Sequence, residues 1–333
     1  MPRYKLTIAY DGTDFCGWQK QEPPASEHPD LPALELRPGD DQPRVALRTV
    51  QHVVEQAVRE LVREPVILTG ASRTDSGVHA AGQVAAFTSN PEPDKGVGWP
   101  LERGVEPLRR ALNGRLPRDV MVRTIEAIDD AFDPIAGAVE KEYTYAIVSG
   151  PERPLWDRRF VFHTWHELDV ERMRAAAAHL VGEHDFASFA QINHGRKTTV
   201  RTITGCEVEA GQWAMGNGQW DACGPGLHAP GFASSALAPS GSGQGEGSSP
   251  VADGGGGTRS VTEGARTIIR VRGTGFLYNM VRILAGTLME AGRGAIDPNR
   301  VPEILESRDR RANPGPTLPP QGLRLEWIRY ETP

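Results

Sequence analysis

No stretch of about eighteen consecutive apolar residues occurs in this 333-residue chain, so no membrane-spanning helix is expected. Met1-Pro2-Arg3-Tyr4-Lys5 runs straight into a strand pattern, so no secretory leader is expected and the expected location is the cytoplasm. Cysteine is scarce. Cys16, Cys206 and Cys223 are odd in number and lack paired spacing, which argues against a disulfide framework and against a cysteine zinc site. His163 and His166 are spaced for neither a metalloprotease helix nor a zinc knuckle, and no metal or cofactor is expected. No Gly-x-Gly-x-x-Gly run or Lys-Ser/Thr ending is present, so the glycine tract at residues 254–257 is not expected to cradle phosphate. Excess positive charge is also missing. The formal net charge of −6 taken whole argues against a nucleic-acid partner, which needs local positive potential. That average hides clustering: acidic residues are dense between Glu22 and Asp41, while Arg103, Arg109, Arg110, Arg115 and Arg118 fall close together, as do Arg196, Lys197 and Arg201. A basic cleft is compatible with such a total, although arginine clusters of this kind are ordinarily a solvated helix face.

The patterns that are present repeat. Tyr4, Leu6, Ile8 and Tyr10 alternate as a strand; Leu47, Val50, Val53, Val54, Ala57, Val58, Leu61 and Val62 recur at helical spacing before Pro65. Val66, Ile67 and Leu68 read as a short buried strand and residues 83–87 as another, followed by a helix near 105–115 and a strand at 121–128. The order is βαββαβ. The second half gives a strand at 141–148, a helix capped by Asp169 with Val170, Met173, Ala177, Leu180 and Val181 on one face, and strands at 200–208 and 267–271. A helix at 277–290, a further helix opened by Asp297-Pro298 and an alternating strand at 323–330 complete it. The expected fold is α+β, two tandem ferredoxin-like (RRM-like) units, with domains at residues 1–130 and 131–333. Two insertions interrupt the repeat. Residues 22–44 are rich in proline and acid, and residues 211–264 carry Gly, Ser and Pro in amounts that cannot build a core, so the second is expected to be disordered.

One segment carries chemistry. In Gly70-Ala71-Ser72-Arg73-Thr74-Asp75-Ser76-Gly77-Val78-His79 a single carboxylate sits in a glycine-punctuated connection between two apolar runs, where functional groups are often displayed by a rigid scaffold. By composition alone Thr74 and Asp75 are equally well ordinary turn formers.

The order of residues resembles the active-site signature of the tRNA pseudouridine synthase A family, an Arg-Thr-Asp-x-Gly-Val-His run carrying the catalytic aspartate. Tyr10-Asp11-Gly12 with Gly17-Trp18-Gln19-Lys20-Gln21 is similar to that family's opening block, and Lys141-Glu142-Tyr143-Thr144-Tyr145 to its second-half tyrosine strand. His184-Asp185-Phe186 with Ser188-Phe189, Gly275-Phe276 through Met280-Val281-Arg282, and Gly322-Leu323-Arg324-Leu325 fall in the same order. The sequence departs from the usual form at Ser72 and Ser76, where glycine and alanine are common.

The resemblance implies two sheets joined edge to edge around a cleft, and isomerisation of uridine to pseudouridine in the anticodon stem-loop of tRNA by a homodimer that needs no cofactor. It implies Asp75 as the nucleophile, Arg282 as the cation that pairs with it by a two-point contact and lowers its pKa, and Tyr143 against the target base with a part in proton transfer, while Tyr145 stays in the core. Arg73 would fill the gap left by an extruded nucleotide or clamp a phosphate. Thr74, His79, Arg196 and Lys197 complete the expected substrate contacts, His79 chiefly by ordering the loop. The competing readings are weaker. A non-catalytic RNA-binding pair of RRM-like sheets would carry a Lys/Arg-Gly-Phe/Tyr-Gly/Ala-Phe-Val-x-Phe/Tyr run, which is missing, and a hydrolase built on Asp75 and His79 would want a serine elbow or a second carboxylate.

Overall fold

The alternation at the amino terminus becomes strand β1 (Arg3–Tyr10) in the computed structural model, with Tyr4, Leu6, Ile8 and Tyr10 all buried. The structure describes residues 1–34, 41–191, 197–212 and 265–331. Thr49 caps helix α1 (Val50–Val62) by accepting from the His52 amide, and Val50, Val54, Val58 and Val62 turn one fully buried stripe into the core. Strands β2 (Thr69–Gly70) and β3 (His79–Thr88), helix α2 (Val105–Asn113) and strand β4 (Val120–Ile128) complete the first half. The second half contains β5 (Ala138–Ser149), β6 (Phe162–Thr164), α3 (Val170–Ala178), β7 (Gly182–Asp185), β8 (Val200–Gln212), β9 (Ala265–Gly273), α4 (Met280–Gly292), α5 (Val301–Ser307) and β10 (Leu323–Tyr330).

These strands form one mixed sheet in the order β4-β1-β3-β10-β5-β9-β8-β7, with β2 against β3 and β6 against β5. The halves meet where β10 runs parallel to β3, Arg324 opposite His79 and Leu325 opposite Ala80. The same edge of β3 receives β2 further along, at Ala85 and Ala86. Between these two partners the chain at residues 71–78 leaves the sheet, and this departure puts Asp75 at the seam. A continuous apolar core passes beneath it, contributed by both halves and including Val78, Ala80, Tyr143, Leu284, Leu323 and Leu325.

Several expectations change in the structure. Val66, Ile67 and Leu68 form no strand: Ile67 is 72% exposed, and the Leu68 amide donates instead to Glu55 Oε2 (3.0 Å), while Gln51 Nε2 donates to the Leu68 carbonyl (2.7 Å). Helix side chains thus satisfy backbone groups that a sheet would otherwise pair. Helix α3 ends at Ala178, so Val181 is exposed while Leu180 remains buried. Helix α4 starts at Met280 rather than 277, because Asn279 takes a left-handed conformation at its N-cap (φ 59°). In β10 a bulge between Leu325 and Trp327 breaks the alternation, so Ile328 instead of Trp327 is buried. The short strands β6 and β7 carry too little periodicity to be read in sequence.

The insertion at 22–44 is bridged at its base, Pro24 to Arg44, and from its middle, Ala33, to Val45 just beyond it. Gly211 and Gln212, placed in the second insertion by composition, belong to β8 and pair with Arg266 and Ala265 of β9. The remaining expectation about residues 213–264, the glycine tract included, lies outside the described residues. The arginines of α2 follow the solvated-face reading: Arg109 and Arg110 both pair with Glu106. Among the described residues no helix is long and apolar enough to cross a membrane.

The buried Glu55 gives a stability test. It holds the Leu68 amide and pairs with Arg59 (2.9 Å). Glu55→Ala would leave that donor unpaired and the cation without its anion, and is expected to cost about 2–3 kcal/mol in urea unfolding. A loss below about 0.5 kcal/mol would show that water replaces the carboxylate.

Candidate active site

Asp75 is held by a bed that the amino-terminal segment provides. The connection closes as a turn, the Val78 amide donating to the Asp75 carbonyl (3.1 Å), with Gly77 at φ 78°, a value that favours glycine. Beneath it the Trp18 amide donates to the Thr74 carbonyl (3.0 Å) and Ser76 Oγ to the Phe15 carbonyl (3.1 Å). Gly17 makes this approach possible: it lies at φ 86°, and a Cβ there would come within 2.8 Å of the Thr74 carbonyl oxygen. The Thr74 hydroxyl is bonded to Tyr10 Oη (2.7 Å), both side chains being buried.

His79 locks the other end of the loop. Its Nδ1 accepts from the Gly12 amide (3.0 Å), so the proton sits on Nε2, which donates to the Arg159 carbonyl (2.8 Å). Burial is the largest influence on this imidazole and holds its pKa below the ordinary histidine value, against the opposing pull of Asp11. With both nitrogens engaged and 2% of its surface exposed, His79 is spent on ordering the loop.

The opposite wall comes from the second half. Arg282 stands in the first turn of α4, where its Nε donates to the Leu318 carbonyl (2.6 Å) and its Nη1 to Asn279 Oδ1 (2.7 Å). So anchored, Nη1 lies 3.8 Å from Asp75 Oδ2. This is a single ionic contact, and the two-point fork expected from the sequence is used instead on Leu318 and Asn279. The Asp75 pKa is raised: burial outweighs the lowering effect of Arg282, which reverses the expected net direction.

Tyr143 projects from β5, buried, with its ring edge-on to Phe276 at 5.2 Å between centroids. Its hydroxyl meets Ser72 Oγ at 2.9 Å. Burial pushes this phenol up to about 12, and the charge of Asp75 adds to the rise. Tyr145 is fully buried and donates to the Pro319 carbonyl (2.7 Å), a core position.

The structure therefore brings together Asp75, Arg282 and Tyr143 across the seam. Arg73 is exposed beside them and makes no hydrogen bond or ion pair among the described residues. Lys197 is exposed in the turn before β8, and Arg196 lies outside the described residues. Ser72 and Asn279 were given no role by sequence reasoning. For Ser72 the signal was its departure from the usual glycine; Asn279 gave none, since its role depends on a left-handed backbone. No three His, Cys, Asp or Glu side chains gather as a metal-holding group among the described residues.

A half-buried carboxylate beside an anchored guanidinium, a protonated phenol and an aromatic edge suits chemistry at a nucleobase and its sugar. The family model described as tRNA pseudouridine synthase matches residues 176–331. The chain is 32% identical over 331 residues to tRNA pseudouridine synthase A 2 of Clostridium perfringens (strain 13 / Type A), covering 99% of this chain and 100% of that protein. It is 34% identical over 330 residues to tRNA pseudouridine synthase A of Geotalea uraniireducens (strain Rf4), covering 99% and 100%. The chain belongs to the tRNA pseudouridine synthase A family. Similarity to that of Citrifermentans bemidjiense (strain ATCC BAA-1014 / DSM 16622 / JCM 12645 / Bem) is likewise 34% over 331 residues, covering 99% of this chain and 98% of that protein. Family membership thus spans both sides of the seam, Asp75 on one and Arg282 on the other.

A carboxylate whose folded pKa is raised loses its charge at a higher pH than an ordinary aspartate, near 3.9. If Asp75 must be ionised, the acid limb of kcat/KM is expected to have its midpoint above that ordinary value, and Arg282→Met should move it further up. A midpoint at or below the ordinary value, or one indifferent to Arg282→Met, would dissociate the limb from this pair.

Proposed function

We propose that this chain isomerises uridine to pseudouridine in tRNA, with Asp75 as the attacking carboxylate. The observation that carries this reading is the half-buried Asp75 at the seam, 3.8 Å from a guanidinium anchored by Leu318 and Asn279. The reaction breaks the bond from ribose C1′ to uracil N1 and forms one from C1′ to C5. Attack at C6, attack at C1′ and a glycal route all need the ionised carboxylate, and the fixed charge of Arg282 supports it where burial opposes it. One proton must reach N1 and one must leave C5. Tyr143 as a phenol that gives the first and receives the second ends in its starting state, and Phe276 offers the detached ring an apolar edge.

Arg73, exposed and unpaired among the described residues, suits the vacancy left by an extruded nucleotide or a neighbouring phosphate. Lys197 and Arg196 are assigned to the tRNA backbone and Thr74 to shaping the floor of the site. The target is the anticodon stem-loop, roughly positions 38 to 40, recognised by shape. The enzyme works without a cofactor, in the cytoplasm, as a homodimer.

The fold supports a tandem arrangement of ferredoxin-like units divided near residue 130. The first half orders its strands β4-β1-β3 with β2 beside β3, the second β10-β5-β9-β8, and both follow the pattern fourth, first, third, second. Release of tritium from C5-labelled uridine in tRNA tests the activity: label in the solvent with the chain intact is the expected result, and binding without release would reduce the protein to an RNA-binding module.

A further inference from the structure

Ser72 is unusual in having its backbone clamped on both sides by one buried amide. The Ser72 amide donates to Gln83 Oε1 (3.2 Å), Gln83 Nε2 donates to the Ser72 carbonyl (2.6 Å), and Gln83 is fully buried on β3. Lys141 Nζ adds a bond to the preceding carbonyl, that of Ala71 (2.9 Å). The Cβ of Ser72 is thereby set relative to β3 and β5. Its hydroxyl reaches Tyr143 Oη at 2.9 Å, while the ring is fixed by its strand and by Phe276. Glycine at this position would keep the clamp and lose the hydroxyl.

We propose that Ser72 is a positioning residue for the isomerisation: its hydroxyl donates to Tyr143 Oη, turns the phenolic proton away from the loop toward the uracil, and stabilises the oxygen while that proton is away. This rests on the role of the phenol proposed above. A hydrogen bond to an oxygen that becomes negative favours that form, and the Ser72 bond opposes the upward pressure that burial and Asp75 exert on Tyr143. Without it the hydroxyl rotor is set by nothing else among the polar contacts of the described residues. The loop would still bind RNA, so the effect belongs to kcat rather than to KM.

The test uses the full chain with 3-fluorotyrosine at position 143, whose 19F resonance reads the phenol's hydrogen bonding without turnover. Ser72→Ala and Ser72→Gly are expected to move that resonance, and Ser72→Thr to return it to the wild-type position. In parallel, kcat on tRNA should fall roughly tenfold in Ser72→Ala and Ser72→Gly with KM within about twofold, and recover in Ser72→Thr. An unmoved resonance, or wild-type kcat in a folded Ser72→Ala, overturns the proposal. Tyr143→Phe, followed by single turnover, separates the two readings. Normal turnover there removes the phenol from the reaction and the role of Ser72 with it, whereas a slow Tyr143→Phe beside a fully active Ser72→Ala rejects Ser72 alone.

Discussion

Asp75→Asn is expected to lower isomerisation by about four orders of magnitude or more while leaving tRNA binding and the fold intact. The amide is the same size as the carboxylate, and the turn that holds it is built from backbone bonds of Thr74, Asp75 and Val78 that the substitution does not touch. What disappears is the charge. The stability of this variant adds a second readout. The folded pKa of Asp75 is raised, so the folded state holds its proton more tightly than the unfolded chain. Such a group favours folding below the unfolded value, near 3.9, and this contribution is lost as pH rises through the folded value. At neutral pH the wild type therefore carries a burial penalty that asparagine avoids, and Asp75→Asn is expected to melt at the same temperature or higher at pH 7, with the difference shrinking toward pH 3. Thermal melts at both pH values, beside the tritium assay, check it. Turnover near wild type would remove Asp75 from the chemistry; a variant that is both inactive and markedly less stable at pH 7 would make its carboxylate structural.

Arg282→Lys is expected to lower kcat/KM by roughly 10²- to 10³-fold although it keeps the charge. In the wild type the guanidinium is fixed through Leu318 and Asn279, and its distance from Asp75 follows from that anchoring. A lysine ammonium has no planar fork, so it cannot reproduce the two anchors and still stand beside Asp75. Because the Leu318 carbonyl and Asn279 are part-buried, a small loss of stability should accompany the substitution, about 1 kcal/mol, far too little to explain the loss of rate. The discriminating measurement is kcat/KM against melting temperature across Arg282→Lys and Arg282→Met. Normal turnover in the lysine variant would show that any nearby cation serves and that the anchoring is incidental.

Much of this architecture was legible in the residues because local periodicity and burial agree. Tyr4, Leu6, Ile8 and Tyr10 could only be a half-buried strand, and the valines of α1 only one helical face, because each pattern permits a single geometry. Asp75, Arg282 and Tyr143 were found through ordered motifs, and the structure brings them to one place from separate elements of both halves. Where the reading failed, a long-range partner had overridden local preference. Val66, Ile67 and Leu68 favour a strand, yet Glu55 and Gln51, on the helix that precedes them, 13 and 17 residues before Leu68, take up its backbone. The early start expected for α4 gave way to the left-handed turn at Asn279, and the alternation of β10 to a bulge.

By itself, then, the sequence determined the order of the longer elements, most of their buried faces and the carboxylate proposed here as the nucleophile, since these depend on side-chain type and spacing along the chain. Tertiary structure decided three things that spacing does not contain. It set the parallel seam of β3 with β10, which exists because β2 is too short to occupy that edge. It gave Arg282 a single contact to Asp75 by anchoring its Nε on Leu318 and the contacting Nη1 itself on Asn279. And it raised the Asp75 pKa where pairing alone predicted a fall, because burial is a property of everything packed around a residue and outweighs one cation at 3.8 Å.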